Sequence, residues 1–280
     1  MEKKHNFSWD KLYLAVVFVF LYVPIVYLLA YSFNKGDTMN SFTGFSMRHF
    51  AELFSDTRLI VILLETFMLA FLSALIATAI GTFGALSIYY VKKRQQRMAL
   101  LSLNNILMVS PDVIIGASFL ILFTAIGSLV GGIGLGFWTV LLSNVAFSIP
   151  IVVLMVLPKL QEMNESMVSA AYDLGANNFQ VLKDIILPFL TPGIIAGYFM
   201  AFTYSLDDFA VTFFVTGNGF TTLAVEIYSR ARRGVSLEIN ALSTLVFLFA
   251  LVLVVGYYYI SKDNKSKKKS ERRQKGGVVR

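Results

Sequence analysis

Six long apolar runs alternate with shorter polar segments along this chain. A helix needs about 20 mostly apolar residues to cross the hydrocarbon of a bilayer, so each run predicts a membrane span. The second run exceeds that length, and we expect part of it to tilt or to extend into water. Pro24 and Pro111 lie inside runs, where neighbouring helices can satisfy the backbone groups that a proline frees. The predicted spans are Leu12–Phe33, Leu59–Val91, Leu100–Ile126, Gly136–Leu157, Phe189–Thr216 and Ala241–Ile260.

Composition supports a chain that is solvated mainly by lipid. Hydrophobic residues make up 56% of the 280 positions and charged residues 15%, against about 45–50% and 25% in soluble proteins. We therefore predict an all-α integral membrane protein whose transmembrane domain covers residues 1–261. The chain has no cysteine, which excludes disulfides, thiolate metal sites and cysteine nucleophiles.

The distribution of basic residues predicts the orientation of the chain. The net charge of +7 lies in the tail 262–280, which holds nine Lys or Arg and two acids. A basic block beside a span marks the cytoplasmic side and contacts anionic lipid, so we do not expect nucleic-acid binding. The basic N-terminus and Lys92–Arg97 fall on the same side if there are six spans. Both termini are therefore predicted to be cytoplasmic, and the tail to be disordered.

One loop runs against this charge rule. Arg230, Arg232 and Arg233 would lie outside, where Glu226 and Glu238 would balance them in part. The charge bias of the N-terminus, the first inner loop and the tail outweighs this loop.

The inner loop 159–188 carries most of the functional information. Gly175 fits the position after a helix, where a left-handed residue is favoured, and a second short helix is predicted from Asn177 to Ile186, ended by Pro188. The loop is either an interfacial hairpin that packs under the bundle or a docking helix for a cytoplasmic partner. Apolar residues of its first helix recur at three- and four-residue spacing, namely Met163, Met167, Ala170, Ala171 and Leu174.

This loop resembles the EAA loop of ABC importer permeases, with the pattern E-A-A-x3-G-x9-I-x-L-P. Ser169 stands where the family usually has Glu, so any salt bridge of that Glu is not expected here. The resemblance implies that the loop inserts into a cleft of a separate ATP-binding subunit. The remaining pattern positions are occupied by Ala170, Ala171, Gly175, Ile185, Leu187 and Pro188.

The resemblance covers nearly the whole chain and extends to the C-type permeases of spermidine/putrescine importers. VSPDVIIG, SLDDFAVTFFVTG and EIYSRARRGVSLEINALST carry this closer similarity. It implies a six-helix MetI-like permease in the bacterial plasma membrane that translocates polyamines. The implied partners are a dimer of cytoplasmic ATP-binding subunits, which would hold ATP and Mg²⁺, a second homologous permease and an extracytoplasmic polyamine-binding protein.

The chain itself is not expected to be an enzyme. It lacks the G-x-x-x-x-G-K-[ST] motif of ATP-hydrolysing P-loops, and no catalytic triad is indicated. No cofactor is expected. The only two histidines, His5 and His49, are far apart in sequence, so no metal site is predicted.

Acidic residues inside the predicted spans need a physical reason, since a buried carboxylate is costly unless it is paired or faces water. Asp112 lies near the middle of the third span, Asp207 and Asp208 in the fifth, and Glu65 near the outer end of the second. These acids are either capped by backbone donors or a neighbouring helix, with Asp112 as an N-cap after a break at Pro111, or they line a path for a cation. Tyr204, three residues before Asp207, would then add cation–π attraction.

Two other function classes stay open. A secondary carrier would use the acids as coupling sites, but inverted repeats are expected there and no second copy of the loop occurs. A membrane scaffold is disfavoured by the intramembrane acids. A permease for another small cation or organic solute is the nearest alternative to polyamine transport.

Overall fold

The computed structural model describes residues 9–131, 134–233, 237–248 and 251. The described residues divide into two compact units, one formed by those up to Thr57 together with those from Arg230 onwards, and the other by Arg58–Ser229. Helices dominate the described residues. They are α1 (Trp9–Ser32), α2 (Arg48–Ser55), α3 (Thr57–Tyr90), α4 (Arg94–Val109), α5 (Asp112–Val130), α6 (Phe137–Gln161), α7 (Glu165–Asp173), α8 (Asn178–Gln180, followed by a π-helical turn Val181–Ile186), α9 (Leu187–Asp207), α10 (Ala210–Val215), α11 (Leu223–Arg233) and α12 (Leu237–Leu248).

Five of the described helices are long and apolar enough to cross a bilayer, which confirms the all-α membrane class. The second of these helices, α3, has 34 residues and is longer than a membrane span requires, as predicted. Most of the sixth predicted span, Ala241–Ile260, lies outside the described residues, as do residues 1–8 and the basic tail 262–280. The five helices are α1 from Lys11, α3, α5 as far as Leu129, α6 and the continuous segment Asn178–Asp207.

The two prolines that the sequence places inside spans have different effects. α1 runs through Pro24 without interruption. The predicted span Leu100–Ile126 is wrong, because the chain breaks at Pro111 into α4 and α5. Ser110, directly before the proline, is extended (φ −72°, ψ 141°), as the proline ring demands. The Ile106 carbonyl accepts from both the Ser110 amide at 3.0 Å and the Ser110 hydroxyl at 2.6 Å.

Close packing of α3 and α9 against α6 forms the core of residues 58–229. A Cβ on Gly81 of α3 would lie 2.7 Å from Val152 of α6, and one on Gly197 of α9 would lie 3.2 Å from the same residue. Apolar burial does not drive helix association in lipid, so membrane helices associate mainly through close packing. Small residues at the interface allow that close approach. Gly193 and Gly197 lie four residues apart, so they place one face of α9 on α6.

Asn34 organises the loop between α1 and α2. Its side chain is fully buried, and its amide donates to the carbonyls of Thr38 and Ser41 at 3.1 and 2.9 Å. Its oxygen accepts from the Thr43 amide at 2.8 Å. Beside it, the ring nitrogens of His49 each lie 3.1 Å from an acceptor, one from the Gly36 carbonyl and the other from the Glu52 carboxylate.

We expect Asn34→Ala to destabilise this loop, since it leaves three backbone groups without their partner. An unsatisfied polar group costs about 1–3 kcal/mol, and water would replace part of the loss. Thermal unfolding of the purified protein in detergent, or proteolysis of the loop, measures the effect. Asn40→Ala, at an exposed position of the same loop, is the control. Equal midpoints for both variants would contradict the role assigned to Asn34.

Carboxylates pair with two arginines around α11. Arg230 contacts Asp56 at 3.1 Å and Glu238 at 3.3 Å, so the expected balancing by Glu238 is present. Glu226 is buried, and its carboxylate lies 3.4 Å from the Arg58 guanidinium. The charge of Arg230 is thus offset within its own surroundings.

Candidate functional site

The loop 159–188 begins with α7, which has signals at both ends. The side chain of Asn164 accepts from the Ser166 amide at 3.0 Å and caps the N-terminus. At the other end, Gly175 has φ +85°, and its amide donates to the Tyr172 carbonyl at 2.9 Å. The Ala176 amide donates to the Ala171 carbonyl at 3.0 Å. This pair of bonds is a Schellman motif, so the position predicted for Gly175 is confirmed.

The second helix of the loop starts near the predicted residue but does not end at Pro188. Asn177 and Gln180 form a capping box with bonds of 2.9 and 2.8 Å. The helix then passes through the π-helical turn Val181–Ile186 into α9 without a break. In this turn the Leu187 amide donates to the Leu182 carbonyl, five residues back. Pro188 thus lies inside the continuous helix, two residues after the end of the π-helical turn.

The predicted apolar face of α7 is divided between two sides. Met163 and Ala171 are buried in the cluster around Val152 and Leu160. Met167 and Leu174 are exposed, Leu174 at 89%, and Ala170 is exposed as well. The prediction of one continuous apolar face was therefore wrong: α7 runs only from Glu165 to Asp173, so Met163 and Leu174 lie outside it, and Met167 and Ala170 within it are exposed.

The two sides of the hairpin match the two interpretations of the sequence. Val168 and Ala171 pack against the bundle together with Val181 and Ile186. Apolar side chains remain on the outer surface, where no described residue covers them. These are Met167, Tyr172, Leu174 and Phe179.

The remaining motif residues lie along the same segment. Ser169 is exposed, and its hydroxyl donates to the Glu165 carbonyl at 3.2 Å. Ile185 is half-buried and packs against the core, Leu187 is half-buried, and Pro188 is exposed.

At the opposite end of α9, four of the five predicted pathway residues line one cleft of about 330 Å³. Its volume is in the range of small-molecule sites. Asp112 enters from the first residue of α5, so its expected location in the middle of a helical span is wrong, because the helix restarts there after Pro111. None of the lining residues is Lys, Arg or His. They are Asp112, Met200, Thr203, Tyr204, Asp207, Asp208, Phe209 and Ala210.

The carboxylates of this cleft have different surroundings. Asp208 is buried, with 8% exposure, and accepts from the Val211 amide at 3.1 Å. It also accepts from the Thr212 amide and hydroxyl at 2.9 and 2.7 Å. Asp112 and Asp207 are exposed to the cleft, and no described residue forms a hydrogen bond or ion pair with either.

Tyr204 forms the apolar wall beside these carboxylates. Its ring centroid lies 4.7 Å from that of Phe147 on α6, and it packs against the buried cluster of Ile115, Phe147 and Val211. The fifth predicted residue, Glu65, is half-buried on α3 and does not line the cleft.

Sequence reasoning missed two groups that hold the cleft together. A Cβ on Gly116 would lie 2.7 Å from the Phe214 ring and 3.1 Å from backbone atoms of Ala210 and Val211. This glycine, one turn after Asp112, therefore lets α5 approach α10 closely. In the sequence, its position four residues after Asp112 was the only indication that Gly116 belongs to this site.

The second missed group is a buried hydrogen-bond network. The Ser73 hydroxyl donates to the Ser205 hydroxyl at 2.8 Å, and the Asn144 amide donates to the same oxygen at 3.0 Å. These contacts join α3, α6 and α9 two residues before Asp207. The position of these three polar residues inside apolar runs could have indicated the network from the sequence.

A comparison with protein families places most of the chain in one of them. Residues 77–263 match the family described as "Binding-protein-dependent transport system inner membrane component". The spermidine/putrescine transport system permease protein PotC of Haemophilus influenzae is 36% identical over 252 residues, 90% of this chain and 96% of that protein. The putrescine transport system permease protein PotI of Escherichia coli is 33% identical and covers 96% of both chains.

Solved structures have the same fold at low sequence identity. A bacterial ABC transporter involved in the import of alginate matches with a TM-score of 0.72 and 19% identity, over 91% of this chain and 94% of that one. The methionine transporter MetNI, in an inward-facing conformation, matches with a TM-score of 0.56 and 18% identity, over 72% and 95%.

Proposed function

Because the chain belongs to the family of inner membrane components of binding-protein-dependent transport systems, we propose that it forms the path by which a polyamine enters the cell. As a member of this family the chain is a multi-pass permease subunit of an ABC importer. Relatives named as spermidine/putrescine and putrescine permeases match 90–96% of its length. The proposal that the substrate is a polyamine rests on this similarity and on the chemistry of the cleft.

The observation that carries the proposal is a pair of carboxylates in the cleft that have no hydrogen-bond or ion-pair partner among the described residues. Asp112 and Asp207 supply negative charge from two helices, and Tyr204 supplies an aromatic ring. One ammonium 4 Å from a carboxylate gains about 4 kcal/mol at an effective dielectric constant of 20, before desolvation. The ring adds cation–π attraction, and the apolar wall suits the methylene segments of an alkylammonium.

The exposed apolar surface of the loop 159–188 is the proposed contact with a cytoplasmic ATP-binding subunit. Single exposed apolar side chains are common, but a group of them on one short hairpin is typical of a protein interface. Ser169 carries no charge, so this contact depends on apolar packing around Met167 and Leu174. ATP and Mg²⁺ would be held by that subunit.

A second permease chain and an extracytoplasmic binding protein complete the proposed assembly. One of the solved relatives is the alginate transporter in complex with a periplasmic protein that carries an alginate pentasaccharide. For this chain we propose a binding protein that carries a polyamine and delivers it to the side of the membrane opposite the loop.

The continuous helix from Asn178 to Asp207 is the proposed mechanical link. It spans 30 residues, about 45 Å at the α-helical rise. The loop 159–188, which we call the docking hairpin, lies at one end of this helix and the cleft at the other. Closure of the ATP-binding subunits would move the hairpin. This helix would then carry the displacement to Asp207 and switch access to the cleft between the two sides of the membrane.

We expect Asp207→Asn and Asp112→Asn each to raise the apparent KM for spermidine or putrescine. Loss of one attractive charge predicts a rise of roughly tenfold, equivalent to about 1.4 kcal/mol. The assay is ATP-driven uptake of labelled polyamine by the complete importer in liposomes. Asp37→Asn, an exposed carboxylate in the loop between α1 and α2, is the control.

Two results would count against the proposal. Unchanged kinetics in both variants would remove these acids from the path, and another solute would then be the substrate to seek. Polyamine uptake by this chain in liposomes without an ATP-binding subunit would identify a secondary carrier.

A further inference from the structure

Neighbouring carboxylates at the end of α9 have opposite surroundings. Asp207 is exposed to the cleft and has no hydrogen-bond partner among the described residues. Asp208 is buried, and both of its oxygens are occupied by donors from Val211 and Thr212. A carboxylate that already accepts three hydrogen bonds has less capacity left for an ammonium ion.

Asp208 also marks the point at which the fifth span breaks. Its backbone is extended (φ −66°, ψ 110°) directly after the last residue of α9. Its side chain satisfies two backbone amides in the first turn of α10, which have no partner inside that short helix. Because an uninterrupted helix satisfies these amides itself, this carboxylate stabilises the broken conformation over the continuous one.

The turn that Asp208 holds also contacts the other wall of the cleft. Val211 and Thr212 are fully buried, and the backbone of Ala210 and Val211 lies against Gly116 of α5. Gly116 follows Asp112 by four residues, on the same helical face. A shift of α10 would therefore change the separation between Asp112 and Asp207.

We infer that Asp208 is a positioning residue, which fixes the break between α9 and α10 and so holds Asp207 and Asp112 in the cleft, and that it does not bind the cation. This inference rests on the proposed function for its transport readout. Its structural part, the hydrogen bonds from Asp208 to the first turn of α10, can be tested without substrate.

The test compares Asp208→Asn with Asp208→Ala and Asp207→Asn in the reconstituted importer. The amide oxygen of Asn can still accept both bonds from Thr212, whereas its amide nitrogen cannot accept from the Val211 amide. Because most of the turn's hydrogen bonds are kept, we expect Asp208→Asn to raise KM by no more than about threefold, well below the effect of Asp207→Asn. Asp208→Ala should lower the maximal rate and raise KM together, each by tenfold or more, and should lower the melting temperature. Asp207→Asn should raise KM about tenfold at an unchanged melting temperature.

Thr212→Val keeps the inference testable if Asp208→Ala does not insert into the membrane. It removes only the hydroxyl that donates to Asp208, and we expect a milder form of the Asp208→Ala effect on rate and melting temperature.

Different results would overturn the inference and the proposed function. If Asp208→Asn raises KM as much as Asp207→Asn, or Thr212→Val has no effect, Asp208 is not a positioning residue. If Asp207→Asn and Asp112→Asn leave uptake unchanged, the proposed path fails. A lower melting temperature for Asp208→Ala would still support the role of Asp208 in fixing the break.

Discussion

Gly175→Val is expected to abolish polyamine uptake while the protein still inserts into the membrane. Gly175 has φ +85°, a conformation that costs a residue with a Cβ about 1–2 kcal/mol and a β-branched residue more. The valine would open the Schellman motif and turn α7 away from the helix that begins at Asn178. Uptake should fall by more than about 20-fold, because roughly 2 kcal/mol already shifts a two-state equilibrium about 30-fold.

Two further variants separate coupling from general strain. Asn tolerates the left-handed conformation, so Gly175→Asn should retain most of the uptake. Gly219 also has a positive φ (+98°) and, like Gly175, no atom within 4 Å of an added Cβ. Gly219→Val, in the turn between α10 and α11, therefore imposes similar backbone strain far along the chain from the docking hairpin. Equal loss of uptake in both valine variants would contradict a specific role of Gly175 in coupling.

Gly116→Val is expected to disable the cleft with a similarly large effect. The added side chain would overlap the Phe214 ring and press on the backbone of α10, since even a Cβ would lie only 2.7 Å from that ring. Overpacking of this kind costs about 1–3 kcal/mol, and we expect α5 and α10 to relieve it by separating. Asp112 and Asp207 would then move apart, and we expect uptake to fall by more than tenfold.

ATP-driven uptake by the reconstituted importer, together with thermal melting, measures this prediction. Gly134→Val is the matched control, because a Cβ at Gly134 has no heavy atom within 4 Å. Normal uptake by the Gly116 variant, with an unchanged melting temperature, would show that close approach of α5 and α10 is not needed for transport.

Spans could be predicted from the sequence, and a break at Pro111 was one of the alternatives, but the break at Asp208 was not predicted. Apolar run length fixes where a helix can cross lipid, because every backbone polar group there must be satisfied internally. Pro24 and Pro111 look alike in such a run, and only the second ends its helix. Hydropathy is similar in the two runs and does not encode this difference.

The docking hairpin shows a similar division. Its caps are local features, so the sequence predicts Gly175 and Asn177 correctly. The effect of Pro188 depends on the hydrogen-bond register of the preceding turn. Because Val181–Ile186 adopts a π-helix, the proline falls where the chain can continue as α9.

For the acids, the sequence left open whether each is capped or lines a path. Both descriptions apply, to different members of an adjacent pair. The contacts of Asp208 depend on where Val211 and Thr212 lie after the helix breaks, whereas Asp207 keeps its carboxylate open to the cleft. A two-residue motif cannot specify this, since the break itself determines which side chain points inward.

The number of residues from the π-helical turn to Asp207 sets the relative orientation of the two ends of this helix. Each residue added to or removed from an α-helix rotates everything beyond it by about 100° and shifts it by about 1.5 Å. The outward face of the docking hairpin and the carboxylate of Asp207 therefore have a fixed azimuth relative to each other, set by the number of residues between them. Substitutions in this stretch alter contacts one at a time. A single insertion or deletion would change the angular phase between the two ends while leaving every side chain present.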